Sequence, residues 1–366
     1  MRRVIAILLM VVPAGLSLVA QKPAPAPAAP ADAGFDVQRV APDVYALIRK
    51  EPPGVMLNAN SVVIVNADDV VVVDTGLGPA TAKAILSAVR TITPKPVKYV
   101  INTHWHDDHI LGNQVFRETF KDVQFIGHAR AEKQLATAAA TSRKQRVEVA
   151  GPLMMQQLRI SLEQSKSMAG GPISEEERRS YLNDLAALER FAAEAPGVTV
   201  VTPTTVVEDR FTLVRGRRTI EILHLGAGHT SEDLVVWLPQ DRVMATGDLV
   251  VTPVPSLVTS SRPADFVTTL EKLAALQPQV LIPGHGSVEN GLGPVRLETR
   301  LFTTLVDQVR ALASKGASLA ETRKTVNLSE MEKLIAGDSP LLRQLFNFRV
   351  TSPGIAAAFR DATAPK

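Results

Sequence analysis

Cysteine is missing from all 366 residues, which excludes disulfides and a lipid anchor carried on a cysteine. A chain this long needs no disulfides to bury a core, so the absence says little about compartment. An excess of one charge is missing too: 40 Lys+Arg against 37 Asp+Glu leave a formal net charge of +3. Arg2 and Arg3 supply two of those charges, and residues 1–20 contain no acid, so the chain without them stands at +1. A near-neutral surface makes no electrostatic case for nucleic acid. No tandem repeat of the short period that marks solenoids is present. The apolar run Val4 to Val12 falls short of the ~20 residues of a comfortable membrane span. It follows Arg2 and Arg3 and is ended by Pro13 and Gly15, the order of an export signal. Ala20 is the plausible cleavage point, although Leu18 fits poorly where small residues are preferred. We therefore expect a signal peptide over 1–20, a periplasmic or secreted mature protein, and no stable membrane span after cleavage. The alternative is an uncleaved N-terminal anchor.

What is present reads as an ordinary globular protein, 45% hydrophobic and 21% charged. Residues 21–33 are mostly Pro and Ala and form a polyproline-like linker. Short valine-rich runs at 44–48, 61–65, 70–73, 99–101 and 123–126 have the continuous apolar character of strands covered on both faces. Ala84, Ile85, Ala88 and Val89 have helical spacing. Residues 129–195 are rich in Ala, Gln, Glu, Lys and Arg and read as a helical insertion covering the sheet; Ser174 and Glu177 form a capping box that opens its later helix. Strand patterns return at 198–201, 211–214, 219–223, 234–238, 242–246 and 280–282, and helices at 296–313 and 329–335 close the chain. The expected divisions are a folded domain over 34–292 and a C-terminal helical extension over 293–366. Two β-rich halves with helices outside suggest a two-sheet sandwich.

The most telling segment is Thr103-His104-Trp105-His106-Asp107-Asp108-His109, which holds three of the seven histidines and two carboxylates directly after a strand pattern. Imidazole and carboxylate are preferred zinc ligands. Three further segments follow one grammar, a strand and then a tight Gly turn with one ligand-type residue: Gly226-Ala227-Gly228-His229-Thr230, Ala245-Thr246-Gly247-Asp248 and Ile282-Pro283-Gly284-His285-Gly286. Glycine permits the sharp turns that aim such side chains.

This pattern resembles the metallo-β-lactamase-fold hydrolases, over about residues 35–292. The resemblance implies a four-layer αββα sandwich, an α/β fold, with two zinc ions per chain. It implies that His104, His106 and His229 hold one zinc, that Asp108, His109 and His285 hold the other, and that Asp248 bridges them. Asp74, in Val73-Asp74-Thr75-Gly76, matches the first motif and would orient a ligating imidazole, cap a turn, or do both. Two such ions can share a hydroxide available near neutral pH, which attacks a polarised carbonyl; Asp108 is the expected proton acceptor and so the catalytic residue.

The stretch from Gly226 to Pro239 looks like the zinc β-lactamases of the acquired-resistance group. That group has cysteine where this chain has Asp248, a lysine where it has Val251, and no histidine at His109. Asp248 with His109 is instead the ligand set of glyoxalase II, lactonases and related esterases, although no glutathione-binding motif is recognisable. The expected function is an exported binuclear zinc hydrolase of an ester, lactone, thioester or amide, acting on a small molecule. The alternatives are β-lactam hydrolysis and, from another class, an iron sulfur-dioxygenase or flavo-diiron redox protein of the same fold. His224 and His128 are expected to be structural, His128 at the start of a helix. Trp105 should pack rather than meet substrate, and Arg143-Lys144-Gln145-Arg146 should be a solvated helical face.

Overall fold

A computed structural model describes residues 34–55, 58–258 and 260–364. The expected export signal and linker lie outside the described residues, in which no helix is long and apolar enough to cross a membrane.

Two sheets face each other. The first runs in order β1 (Phe35–Ala41), β2 (Val44–Arg49), β3 (Ser61–Val65), β4 (Val70–Val73), β5 (Val97–Ile101), β6 (Gln124–His128) and β7 (Thr205–Val207). The second contains β8 (Arg210–Arg215), β9 (Arg218–Leu223), β10 (Val235–Leu238), β11 (Val243–Val251), β12 (Val280–His285) and β13 (Glu289–Asn290), in the order β13-β12-β11-β10-β9-β8. Antiparallel pairing carries the chain from β1 to β4, and the pairs β4–β5, β5–β6, β6–β7 and β11–β12 are parallel.

Side-chain alternation explains the layers. Every residue of β3 is buried, because Val62 and Ile64 face the second sheet while Val63 and Val65 face helices outside. Between the sheets, Val71, Val73 and Ile101 meet Ile220, Ile222, Val236 and Ala245. Outside the first sheet lies the helix Pro79–Ile92, burying Ile85, Leu86 and Val89. Outside the second lie the helices Pro263–Ala275 and Gly293–Ala313, whose Leu270, Leu301 and Phe302 share a core with Val235 and Met244. The result is the αββα sandwich.

The 129–195 segment is helical, as expected, and ends in the helix Glu175–Glu194 with both reciprocal bonds of the Ser174–Glu177 capping box. Its Leu135, Leu158, Tyr181 and Leu188 pack with Leu77, Trp105 and Leu111 from the ligand-bearing side of the first sheet. One strand expectation fails. Residues 198–201 join no ladder, and pairing starts only at Thr205, opposite Ile126. Val201 is buried against the first sheet's outer core, and Pro203 cannot donate to a ladder, so the valines serve packing alone. β1 and the helix Pro263–Ala275 have no counterpart in the sequence reading.

Candidate metal centre

The ligand-type residues gather where strands of the two sheets end. Asp74 follows β4, in a left-handed conformation at φ 57°. His104 and His106 lie on the loop after β5, and Asp108 and His109 on the single helical turn Asp107–Ile110. His229 sits on the loop between β9 and β10, Asp248 within β11, and His285 closes β12. Backbone bonds lock the parts together. Leu234 N–H donates to Thr103 O at 2.8 Å across the sheets, and Asn60 Nδ2 donates to Pro283 O and Gly286 O at 3.0 and 2.9 Å, gripping the His285 turn. Gly284 is required by space, since a Cβ there would stand 2.0 Å from Asp248 Oδ1.

Two groups of donor atoms result, His104, His106, His229 and Asp248 in one and Asp108, His109 and His285 in the other. His106 Nδ1 faces His104 Nε2 at 2.9 Å and His229 Nε2 at 3.0 Å. Asp248 spans both groups: Oδ2 lies 3.4 Å from His229 Nε2, while Oδ1 lies 3.3 Å from His109 Nε2 and 3.3 Å from His285 Nε2. Asp108 Oδ2 is 3.2 Å from His285 Nε2 and 3.5 Å from His109 Nε2.

These residues fit a metal. His109 Nε2 and Asp248 Oδ1 are buried without a hydrogen-bond partner, an expensive state for polar atoms unless something else binds them. The far sides of the rings are already engaged. His109 Nδ1 meets Asp74 Oδ2 at 2.7 Å, His229 Nδ1 meets Ser256 O at 3.0 Å, and His285 Nδ1 meets Asn58 O at 3.2 Å. Such partners select the tautomer that leaves Nε2 as an open lone pair. Asp74 also accepts from Thr103 N and Thr103 Oγ1, both at 2.8 Å, so it braces the loop as well as the ring.

The electrostatics agree. Burial, together with the neighbouring imidazoles, holds His104 and His106 well below the usual histidine range. Burial would lower His109 too, but Asp74, Asp108 and Asp248 outweigh it and hold that ring well above its ordinary value. His285 is likewise lowered by burial yet pushed up to about 9 by Asp248 and Asp108. Burial would raise Asp108 and Asp248, and the facing imidazoles reverse this and hold both carboxyls low. Carboxylates that stay ionised in a buried pocket draw positive charge, which a divalent cation supplies as it displaces protons.

The remaining sequence candidates sort as follows. Trp105 is buried in the core shared with the insertion, with its ring edge-on to His106 at 4.3 Å. His224 Nδ1 engages Asp233 O at 2.9 Å, and its ring packs on His128 at 4.4 Å. His128 ends β6 instead of opening a helix, which begins at Ala131; its Nδ1 accepts from Arg130 N. The basic run is a solvated face only in part: Lys144 and Gln145 are exposed, whereas Arg143 and Arg146 are half-buried. Arg143 Nε donates to Asp107 Oδ1 at 3.0 Å, and Arg146 covers the Phe191 ring. A helical spacing that brings Arg143 back onto the ligand loop is invisible without the fold.

Sequence reasoning missed the wall beside the donors. A cavity of about 70 Å³ is lined by His285, Asn58, Thr252, Arg49, Glu51 and Arg349, among others. The one available signal was an arginine amid the apolar residues Phe346, Phe348 and Val350.

Comparison with known proteins agrees with this architecture. A linear primary-alkylsulfatase from Pseudomonas sp. is 26% identical over 293 residues, covering 76% of this chain and 51% of that protein. The chain thus spans about half the length of that relative. A metallo-beta-lactamase from Pontibacter korlensis shares the fold, with a TM-score of 0.50 at 17% identity over 74% of this chain and 99% of that one. Residues 55–285, well over half the chain, match the metallo-beta-lactamase superfamily as a family. With its αββα layers and converging histidine and aspartate side chains, the chain belongs to the metallo-beta-lactamase superfamily.

Proposed function

We propose that this chain is an exported hydrolase that holds two zinc ions and cleaves an ester, lactone, thioester or amide. The observation that carries the reading is Asp248, which turns one oxygen to each donor group. His104, His106 and His229 would hold one ion, Asp108, His109 and His285 the other, and Asp248 both. Bound zinc would supply Lewis acidity, polarising a carbonyl oxygen and acidifying water to a pKa of about 7. The chain's own residues do the rest. Asp74 keeps His109 in one tautomer. Asp108 is less enclosed than its neighbours, with 16% of its side chain exposed against 6% or less for Asp248, His109 and His285. It is therefore the carboxylate that a water proton can reach, taken at Oδ1 while Oδ2 faces His285. The Pro/Ala-rich linker and the basic-then-apolar N-terminus support export.

A second reading within the same chemistry is cleavage of an alkyl sulfate ester, favoured by the similarity to the Pseudomonas alkylsulfatase. β-Lactam hydrolysis has less support, because Val251 is buried in β11 and offers no cation. Elemental analysis of gently purified protein, followed by a screen of 4-nitrophenyl esters, lactones, thioesters, alkyl sulfates and β-lactams, tests the reading. About two zinc ions per chain with ester-type turnover is the expected result. One firmly bound ion, or iron with oxygen consumption, overturns it.

A further inference from the structure

The cavity beside His285 contains a charge that the metal chemistry does not use. Of the metal-type donors only His285 is in its lining, so a molecule seated there touches that one ring. Two arginines line it as well, and they differ. Arg49 pairs with Glu51, whose Oε1 also accepts from Asn58 Nδ2 at 2.8 Å, so its charge is answered. Arg349 is only 7% exposed. Its side chain donates to the carbonyl of Gly54, and among the described residues no carboxylate forms an ion pair with it. Burial lowers its pKa to about 10, against the pull of Asp184 and Asp248, so it remains a cation at neutral pH.

A buried guanidinium whose nearest carboxylates, Asp184 and Asp248, attract it without pairing directly is costly unless an anion joins it. Pinning Gly54 does not explain the cost, since one neutral donor satisfies a carbonyl. A second group points the same way: the Thr252 hydroxyl, in the same wall, is buried without a hydrogen-bond partner. The cavity is also large enough. At about 70 Å³ it exceeds the roughly 10–15 Å³ on the same measure that one water requires. Arg349 is firmly placed, on the π-helical turn Asn347–Thr351 between two C-terminal helices, with its carbonyl accepting from Leu257 N at 2.9 Å. It lies outside residues 55–285, the stretch that matches the family.

We infer that Arg349 is the substrate-anion receptor of this enzyme: the scissile bond is presented to the metal-binding donors by seating a compact oxyanion, a carboxylate or a sulfate, on its guanidinium beside Thr252. The inference rests on the hydrolase reading above and narrows its substrates to anionic ones.

The test uses the zinc-loaded protein and two esters that share one scissile bond, 4-nitrophenyl hydrogen glutarate (anionic) and its methyl ester (neutral). Hexanoate, hexyl sulfate and hexanol are titrated calorimetrically alongside. The wild type should favour the anionic ester through KM, and should bind hexanoate or hexyl sulfate more tightly than hexanol. Whichever of the two binds better identifies the oxyanion. In Arg349→Gln the ratio of anionic to neutral kcat/KM should fall about 10- to 100-fold, the range for a hydrogen bond to a charged group, and Arg349→Lys should recover part of it. A ratio unmoved by Arg349→Gln overturns the inference and leaves Arg349 as a loop pin. If Arg349→Gln does not fold, the wild-type measurements decide, and equal treatment of the two esters with no anion binding overturns it. If neither ester is cleaved, the hydrolase reading fails by itself, and the calorimetry still tests the receptor.

Discussion

Two structures meet at His285, and they are built in opposite ways: a floor of metal-type donors, of which His285 alone reaches the cavity, and the cavity wall beside it. The floor consists of seven donors on the ends of two sheets, each backed by packed strands and, for His109, His229 and His285, by a partner on the far ring nitrogen. The wall is assembled from remote pieces. Gly54 and Val55 are clamped between Asp184 of the helix Glu175–Glu194, which accepts from Val55 N at 2.8 Å, and Arg349 of the C-terminal helices. Those two supports are themselves joined, through Tyr181 Oη to Gln344 Oε1 at 2.8 Å and Ser339 Oγ to Glu176 Oε2 at 2.7 Å. A floor set by the sheets and a wall set by appended helices can vary separately, which is how one fold carries many substrates.

Breaking the floor should therefore be far worse than loosening the wall. Asp248→Ala removes the one side chain shared by both donor groups. We expect zinc retention to collapse and turnover to fall to background, while circular dichroism of the sandwich is kept, because the sheets are buried without the site. Asp108→Ala should abolish turnover more completely than it lowers the melting temperature. Retention of near-normal rate by either variant would end the two-metal reading. Asp74→Asn is the next step down. It keeps shape but weakens the hold on His109 and Thr103, and effects of about 10- to 100-fold on metal affinity or activity are usual for such partners. Competition with a chelator measures this directly.

The contrast also explains what could be read from the chain alone. The floor was legible because its donors crowd into short runs after strands, Thr103 to His109 above all, and because valine-rich β3 and β4 announce two covered faces. Their bounds, Ser61–Val65 and Val70–Val73, coincide with the apolar runs. The wall was not legible, because its contacts join residues separated by 129 positions for Val55 and Asp184 and 295 for Gly54 and Arg349, and no local period encodes such a meeting. The same limit hid the role of Arg143, whose charge-run neighbours suggested solvent. It also left the insertion only as a cover over the sheet, with no sign that Tyr181 and Leu188 complete a core with Trp105 and Leu111.

Asp184→Ala tests the wall without touching that core. A Cβ on Gly54 would stand 2.3 Å from Asp184 Oδ1, so the carboxylate sits hard against the loop it holds. Its removal should free Gly54 and Val55, raise KM several-fold and broaden substrate choice, with zinc content unchanged. Loss of zinc in this variant would show that floor and wall are one unit.

The smallest effect, and one of opposite kind, is expected behind the floor at Glu232. This residue is fully buried, neither carboxyl oxygen has a well-aligned hydrogen-bond partner, and it lines a small cavity together with His104 and His128. Burial, reinforced by Asp233, pushes it from 4.5 up to about 8, with Arg130 and the Trp105 N–H pulling the other way. The folded protein thus keeps a proton that the unfolded chain gives up. Below pH 4.5 both states are protonated and the group has no effect; between 4.5 and 8 the unfolded chain ionises first, so stability drains away as pH rises, and above 8 the loss levels off. Glu232→Gln cannot titrate. Its melting temperature should therefore decline less than that of the wild type between pH 5 and pH 8, by a few degrees, with zinc binding retained at neutral pH. Parallel pH profiles would show that Glu232 ionises normally in the fold, and that the floor tolerates a buried charge which its geometry leaves without a well-aligned partner.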